Sequence, residues 1–298
     1  MNLRRSTQSS KSAAVQQRMV GGVAIIGPGR VGQALGKLLS QAGIPILCVA
    51  ARRLAAARWA VQFIGCGEPI RLSDSRLSEA SVILLTTADS ALPQVAEELA
   101  RRPGGRGKWS GKVVLHTCGS LPSAVLRPLR RRGAAIGSLH PFQTVPSPSA
   151  GMRNLRGCFW SIEGDAAAQK VARHWVSALG GTPFRVRPTQ KIVYHLAAFL
   201  VCPTLVTLME RSVRLLKRAG VPAGIARPML CQFVTETARN FAAVGARRAL
   251  TGPAVRGDWA TIERHLVALR RVSPDLVPVY KTLLRAMLRL LGQRGKGK

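Results

Sequence analysis

The chain has 298 residues, 47% of them hydrophobic, which is enough to bury a substantial core in one large or two ordinary domains. Its formal net charge is +32, and such a field attracts polyanions. However, aromatic residues make up only 5% of the chain, and no basic stretch is interleaved with the aromatics on which nucleic-acid bases stack. Specific nucleic-acid binding is therefore not favoured.

The polar start of the chain and its cysteines bear on its location. Residues 1–19 are basic and lack the apolar segment of a secretory signal, so we expect a disordered tail there. The six cysteines are scattered, without a CxxC pair or zinc-ligand spacing. We therefore expect free thiols in a reducing cytoplasm and no metal site.

Residues 20–150 alternate short apolar runs with helical segments. The apolar runs read GVAIIG, PILCVAA, ASVILLTT, KVVLHT and AAIGSLHP. Continuous apolar strands separated by helices predict a parallel sheet with helices on both faces. The predicted fold class is α/β, with an N-terminal Rossmann-type parallel sheet and a C-terminal all-helical domain.

The first of these strands runs directly into a glycine-rich turn and a helix. Gly27, Gly29 and Gly32 form GxGxxG in the context that dinucleotide binding requires. The glycines allow a tight turn and close approach to a pyrophosphate, and the helix N-terminus supplies amides to it. The predicted cofactor loop comprises Gly27, Pro28, Gly29, Arg30, Val31 and Gly32.

The second strand lacks the acidic end that NAD-binding proteins use for the ribose hydroxyls. Arg52 stands twenty residues after Gly32, where that acid is expected, and Arg53 follows it. A guanidinium is a bidentate partner for the 2′-phosphate of NADP. We therefore predict NADP(H) as the cofactor, the alternative being that both arginines are merely solvated charges.

Polar residues gather at the ends of the later strands, where open α/β sheets bind ligands. The residues singled out there are Thr86, Thr87, His116 and His140. We predict that the two threonines and His116 contact the cofactor and that His140 is catalytic. The alternative is ordinary loop chemistry, in which Asp89 and Ser120 cap helices.

From Gln190 onward the pattern is helical, and residues 151–292 are predicted to form a mainly helical domain for substrate binding and dimerisation. The run Ile192–Met209 is apolar enough to span a membrane. It also holds His195 and Pro203, which favours a helix buried in a protein core and no membrane association. The abundance of apolar residues in this half predicts a homodimer.

His195 and Lys191 are the remaining candidate catalytic residues. Lys191 precedes His195 by four residues, so their side chains share one face of the helix. This helix begins where a cleft between the domains is expected. The alternative is a core histidine whose hydrogen bonds serve only the fold.

Several motifs together resemble a known family. GPGRVG, HTCGS, SLHPFQT, YHLAAFLV and LTGPAVRGDWATIERHLVAL stand in the order found in Rossmann-like oxidoreductases with the domain of unknown function 2520, over roughly residues 20–290. That family is similar in plan to ketopantoate and pyrroline-carboxylate reductases. The resemblance implies an NADP-binding Rossmann domain and a helical domain that dimerises.

The resemblance also bears on the catalytic residues. Similar ketopantoate and hydroxyacid reductases carry a KxxxN motif on the first interdomain helix, and this chain has Lys191-x-x-x-His195 at the similar place. Within the RGD sequence, Asp258 is predicted to cap the following helix rather than to serve adhesion.

Together these observations predict an NADPH-dependent reductase of a small carbonyl or imine substrate. A group on the Lys191/His195 face, or His140, would protonate the developing anion. An arginine would hold a substrate carboxylate. The alternatives are a non-catalytic NADP-binding regulatory protein and a basic protein that binds nucleic acid.

Overall fold

The structure is a computed structural model that describes residues 22–102 and 109–292. The predicted disordered tail, residues 1–19, lies outside the described residues. The chain divides into two compact units between Cys202 and Pro203. We call the first the sheet unit and the second the helical unit.

The sheet unit is built around one eight-stranded sheet. Its strands are β1 (Val23–Ile26), β2 (Ile46–Ala51), β3 (Glu68–Arg71), β4 (Val82–Leu85), β5 (Val113–His116), β6 (Ala135–Pro141), β7 (Phe159–Gly164) and β8 (Thr182–Arg185). Its α-helices are α1 (Arg30–Gln41), α2 (Leu54–Ile64), α3 (Leu92–Ala100), α4 (Arg127–Arg130), α5 (Pro148–Asn154), α6 (Ala166–Ala178) and α7 (Lys191–Val201).

The strand order is β3-β2-β1-β4-β5-β6-β7-β8. All neighbouring strands are parallel except β6 and β7, which are antiparallel. The predicted Rossmann-type sheet is confirmed. Because β7 and β8 join the same sheet, the compact unit continues past the predicted domain boundary at residue 150.

The sheet is stable because its central strands are apolar on both faces. All four residues of β1 are buried, with Val23 and Ile25 in one core cluster and Ala24 and Ile26 in the other. Successive side chains of a strand point to opposite faces, so these two clusters are the two sides of the sheet. Helices cover both sides, as parallel sheets require.

The helical unit comprises α8 (Pro203–Arg218), α9 (Ala223–Ala249), α10 (Pro253–Arg256), α11 (Trp259–Val272) and α12 (Leu276–Leu290). Helix α9 is interrupted at Gly245, whose φ of 74° is not helical. The Asp258 side chain accepts a hydrogen bond from the Thr261 amide at 3.0 Å. The predicted helix cap at Asp258 is therefore confirmed.

The apolar run from Ile192 to Met209 is not buried in a core of this chain, which corrects the prediction. By length and composition the helical stretch Pro188–Arg218 could cross a membrane, and none of its most apolar window is buried. Ile192 is 63% exposed and Val206 is 64% exposed. The sequence pattern misled because hydropathy along one segment does not specify whether another part of the chain packs against it.

Candidate functional site

The glycine loop packs directly against the end of β4. Gly27 has a φ of 77°, and a Cβ there would collide with Thr87. A Cβ at Gly32 would collide with the Thr86 hydroxyl, which donates a hydrogen bond of 2.8 Å to the Gly27 carbonyl. Both positions therefore require glycine, and Thr86 serves to hold the loop.

The opposite side of the loop is open. A Cβ built on Gly29 would meet only the Gly27 carbonyl oxygen, at 4.0 Å. Gly29 is the N-cap of α1, and no side chain of the described residues caps this helix. The Thr87 hydroxyl nearby is buried and has no hydrogen-bond partner among the described residues. An uncapped helix start and an unpaired hydroxyl fit an anionic ligand such as a dinucleotide pyrophosphate.

Basic side chains lie at the same edge of the sheet. Strand β2 ends at Ala51, and Arg52 and Arg53 follow with exposed side chains. The Gly27 amide donates to the Ala50 carbonyl at 3.0 Å, which ties this strand end to the glycine loop. Arg30, at the start of α1, donates to the Pro146 carbonyl at 3.3 Å. The fold thus places the predicted phosphate ligands beside the loop.

A second group of polar side chains shares one face of β5, β6 and β7. Register pairs His116 with Ser138, Ser138 with Glu163, and His140 with Ser161. Paired residues, and residues two apart along a strand, point to the same side of a sheet. We call this set the polar face: His116, Ser138, His140, Ser161 and Glu163.

Lys191, the first residue of α7, lies on the polar face. Its Nζ donates to the Cys118 carbonyl at 3.0 Å and to the Ser138 hydroxyl, and lies 3.8 Å from Glu163 Oε1. Its side chain is 1% exposed. Burial lowers the pKa of Lys191, and the carboxylate of Glu163 opposes that shift. Lys191 therefore fastens α7 to the sheet.

Glu163 is also held from a neighbouring loop. Its two carboxylate oxygens accept hydrogen bonds from the amide and the hydroxyl of Ser123, at 2.5 and 2.7 Å. These bonds satisfy a buried carboxylate that would otherwise be costly. The Lys191–Glu163 pair is thus an internal part of the fold.

His116 lies below the same surface and is fully buried. Its Nδ1 accepts a hydrogen bond from the Cys118 amide at 3.1 Å. Burial, and secondarily the charge of Lys191, lowers the pKa of His116 to about 3, so the ring is neutral at pH 7. This placement favours support of the turn after β5 over direct contact with a cofactor.

His140 is paired with a residue that the sequence had not singled out. The Tyr194 hydroxyl lies 2.7 Å from His140 Nδ1. Tyr194 packs against the rings of Phe142 and Phe184, with centroids 5.4 and 6.0 Å away. Burial, followed by Lys191 and His195, lowers the pKa of His140 to about 3, so this ring too is neutral at pH 7.

His140 and His195 meet over Gly119. Their ring centroids are 6.1 Å apart. A Cβ at position 119 would lie 2.6 Å from His140 Nε2 and 2.7 Å from His195 Cδ2. Only glycine leaves both imidazoles free to approach the backbone here. We call the surface formed by these three residues the histidine site.

Two further contacts fix the segment that carries Gly119. The Ser120 hydroxyl donates to Asp89 Oδ2 at 3.0 Å and lies 3.2 Å from the Cys118 sulfur. Asp89 follows β4, and Ser120 follows β5. The histidine site and the glycine loop are therefore joined along one edge of the sheet.

The structure brings the predicted catalytic residues His140, His195 and Lys191 together. Sequence reasoning missed Tyr194 and the partners of Lys191 on the polar face. A signal was present, since Tyr194 stands three residues after Lys191 on the same helix face. Among the described residues, no group of three or more His, Cys, Asp or Glu side chains is arranged to hold a metal ion.

The sheet topology and the glycine loop define a Rossmann-type nucleotide-binding protein with a helical C-terminal region. A Rossmann-like domain model matches residues 6–141, and the model of the domain of unknown function DUF2520 matches residues 158–287. The chain thus carries a Rossmann-like domain followed by a DUF2520 domain, which confirms the resemblance. No curated protein matches the chain.

Solved structures share this fold over most of the chain. A candidate NADP oxidoreductase from Bacteroides fragilis is 24% identical, with a TM-score of 0.71, and the match covers 90% of this chain and 97% of that one. A pyrroline-5-carboxylate reductase from Coxiella burnetii is 17% identical, with a TM-score of 0.57 and coverage of 91% and 97%. A Plasmodium falciparum pyrroline carboxylate reductase with NADP bound is 11% identical, with a TM-score of 0.57 and coverage of 89% and 97%.

Proposed function

We propose that this protein is an NADPH-dependent reductase of a small carbonyl or imine compound. The observation that carries the proposal is the histidine site, which lies on the same sheet edge as an uncapped glycine loop. Polar groups that converge beside a nucleotide site can donate the proton that the substrate must gain when it is reduced. The solved structures named above share the fold and are described as oxidoreductases, which supports this chemistry.

The residues of the glycine loop fit the cofactor. The first turn of α1 would hold the pyrophosphate, and the Thr87 hydroxyl offers it a hydrogen bond that no described residue uses. Arg52, with Arg53 beside it, would hold the 2′-phosphate. When bound, NADPH supplies a hydride to the carbon of a C=O or C=N bond.

Reduction leaves an oxygen or nitrogen atom that must gain a proton. His195 is the proposed donor, because its ring is half-buried at Gly119 beside His140 and histidine is the side chain that most often serves as a general acid. His140 is neutral at pH 7 and offers a hydrogen bond to the same substrate atom. In such a pair, His140 polarises the substrate by a hydrogen bond and His195 protonates it.

In this proposal Lys191, which was predicted to be catalytic, does not contact the substrate. It holds the surroundings of the two histidines in place. Its amino group is buried and donates hydrogen bonds to the Cys118 carbonyl and the Ser138 hydroxyl. Its positive charge helps to keep His140 neutral. A carboxylate-bearing substrate suits a chain of net charge +32.

We also propose a cytoplasmic homodimer. The exposed apolar side chains of the helical unit include Phe233 at 69% and Phe241 at 60% exposure. Soluble proteins rarely leave such surfaces uncovered, and a second copy is the occupant that is always present. All six cysteines lie among the described residues as free thiols, which suits a reducing compartment.

The test combines cofactor titration with a substrate panel. NADPH binding is followed by quenching of tryptophan fluorescence, and NADPH oxidation is followed with cyclic imines and 2-oxo acids. With an active substrate, His195→Gln should lower kcat about a hundredfold, with NADPH affinity and melting temperature nearly unchanged. His265→Gln, on α11, is the matched control and should keep full activity.

Two results would contradict this proposal. NADPH binding without oxidation of NADPH by any member of the panel would favour a non-catalytic nucleotide-binding protein. Early unfolding of His195→Gln, with its turnover retained at low temperature, would make His195 structural and exclude it as the proton donor.

A further inference from the structure

The chain has two tyrosines, and each is hydrogen-bonded to the Nδ1 of a histidine. Tyr194 lies 2.7 Å from His140 Nδ1 in the sheet unit. Tyr280 lies 3.0 Å from His265 Nδ1 in the helical unit. In both pairs the rings meet edge to face. The same two groups therefore occur in two different settings.

The settings differ in what lies at the other ring nitrogen. His140 Nε2 lies at Gly119, in the histidine site. His265 is exposed on the surface of α11. A phenol bound to Nδ1 controls which nitrogen of a neutral imidazole carries the proton. At His140 that choice decides whether a donor or an acceptor faces the substrate.

The surroundings of His140 favour one arrangement. Nδ1 of an imidazole is a stronger acceptor than a phenol oxygen, so the Tyr194 hydroxyl donates to it. The Ser161 hydroxyl supplies the phenol oxygen with a partner of its own. Phe142 and Phe184 hold the Tyr194 ring in place. With Nδ1 occupied as an acceptor, the single proton of the neutral ring lies on Nε2.

The charged groups that face His140 come from two parts of the chain. Lys191 and His195 lie on α7, and Asp89 follows β4. Lys191 and His195 disfavour a second proton on the ring, and Asp89 favours one. Burial of the ring is the largest cause of its lowered pKa, so the imidazole stays neutral through the physiological range.

We propose that Tyr194 is a positioning residue that fixes His140 as the neutral tautomer with its proton on Nε2. The Nε2–H then serves as a hydrogen-bond donor to the carbonyl oxygen or imine nitrogen of the substrate. The use of this bond rests on the proposed reductase function. The tautomer itself is a property of the free protein and can be measured without a substrate.

The experiment is ¹⁵N NMR of the five histidines in the full-length protein labelled at the imidazole nitrogens. His140→Asn assigns the signals. We expect His140 to show a protonated Nε2 and a hydrogen-bonded, unprotonated Nδ1 at pH 7. Tyr194→Phe keeps the aromatic packing but removes the hydroxyl, so the Nδ1 signal should move and a form protonated at Nδ1 should appear.

Tyr280→Phe is the matched control, because it removes the only other phenol and should change the signals of His265 alone. With an active substrate, Tyr194→Phe should lower kcat about tenfold and leave the Kd for NADPH unchanged. A wild-type His140 protonated at Nδ1, or His140 signals unchanged in Tyr194→Phe, would overturn the proposal. A confirmed tautomer with no NADPH oxidation by the wild type would instead count against the reductase function.

Discussion

The part of the chain before residue 190 and the part after it differ in how many large apolar side chains they leave exposed. Among the described residues, the large hydrophobic side chains exposed before residue 190 are Trp59, Phe142 and Phe159, and all the others lie from Ile192 onward. A sheet with helices on both faces buries its apolar surface within one chain. An amphipathic helix buries its apolar side only where another surface packs against it, and many apolar side chains after residue 190 are exposed.

The sheet unit and the helical unit differ in where they place paired charges. The sheet unit buries an ion pair between Lys191 and Glu163, whose side chains are 1% and 7% exposed. In the helical unit, Arg270 and Glu263 pair at 3.2 Å with side chains 53% and 61% exposed. A buried charge that loses its partner is costly, whereas an exposed charge is solvated. Removal of one partner should therefore be more costly for the Lys191–Glu163 pair than for the Arg270–Glu263 pair.

The largest expected effect comes from the buried ion pair. Lys191→Met leaves the Glu163 carboxylate buried without its ion-pair partner and, among the described residues, with Ser123 alone as a hydrogen-bond partner. The free energy of unfolding should therefore fall by about 3–5 kcal/mol. Arg270→Met, the exposed counterpart, should change it by less than about 1 kcal/mol. Urea unfolding at one fixed protein concentration measures both. Equal losses in the two variants would abolish the contrast between the units.

The next effect concerns assembly. Phe233→Glu places a charge on the exposed apolar surface of α9 and should raise the Kd of the proposed homodimer at least about thirtyfold, as loss of an interface hot spot does. Trp59→Glu is the matched control, since Trp59 is 71% exposed and Phe233 is 69% exposed. Sedimentation over a range of concentrations measures the Kd. A wild type that is monomeric at micromolar concentration would remove the basis for this prediction.

The smallest effect concerns the cofactor, at the edge of the sheet unit. Arg52→Asp should reduce the proposed preference for NADPH over NADH about tenfold, because an aspartate repels the 2′-phosphate and accepts a hydrogen bond from a ribose hydroxyl. Arg173→Asp, on α6, makes the same change in net charge and should leave the preference unaltered. Titrations at moderate salt keep non-specific phosphate binding small. Equal affinity of the wild type for both nucleotides would argue against a role for Arg52.

Much of the sheet unit could be predicted because its signals are local. A strand, a glycine turn and a helix start follow one another within the first described residues, and each has its own pattern. The sequence indicates His140 and His195 as candidates because His140 lies at a strand end and His195 lies in the first helix of the C-terminal half. Local position was enough to select them, but it did not show that they meet at Gly119.

The role of Tyr194 was not predicted because its partner, His140, is remote in sequence. His140 and Tyr194 are 54 residues apart, and only the packing of α7 on β6 brings them together. The contacts of Ser138 and Glu163 with Lys191 were not predicted for a similar reason. Their pairing depends on the register of β6 with the antiparallel β7, which no local pattern specifies.

The sequence by itself determined the α/β class, the glycine loop and the basic end of β2, because hydrophobic periodicity and turn chemistry act between near neighbours in the chain. Only the tertiary structure decided that Lys191 is buried, that Tyr194 binds His140, and that the apolar side of α7 stays uncovered within one chain. The physical reason is that burial and hydrogen-bond partnership depend on which surfaces meet. Strand register and helix packing determine which surfaces come into contact, and they join segments that are far apart in the chain.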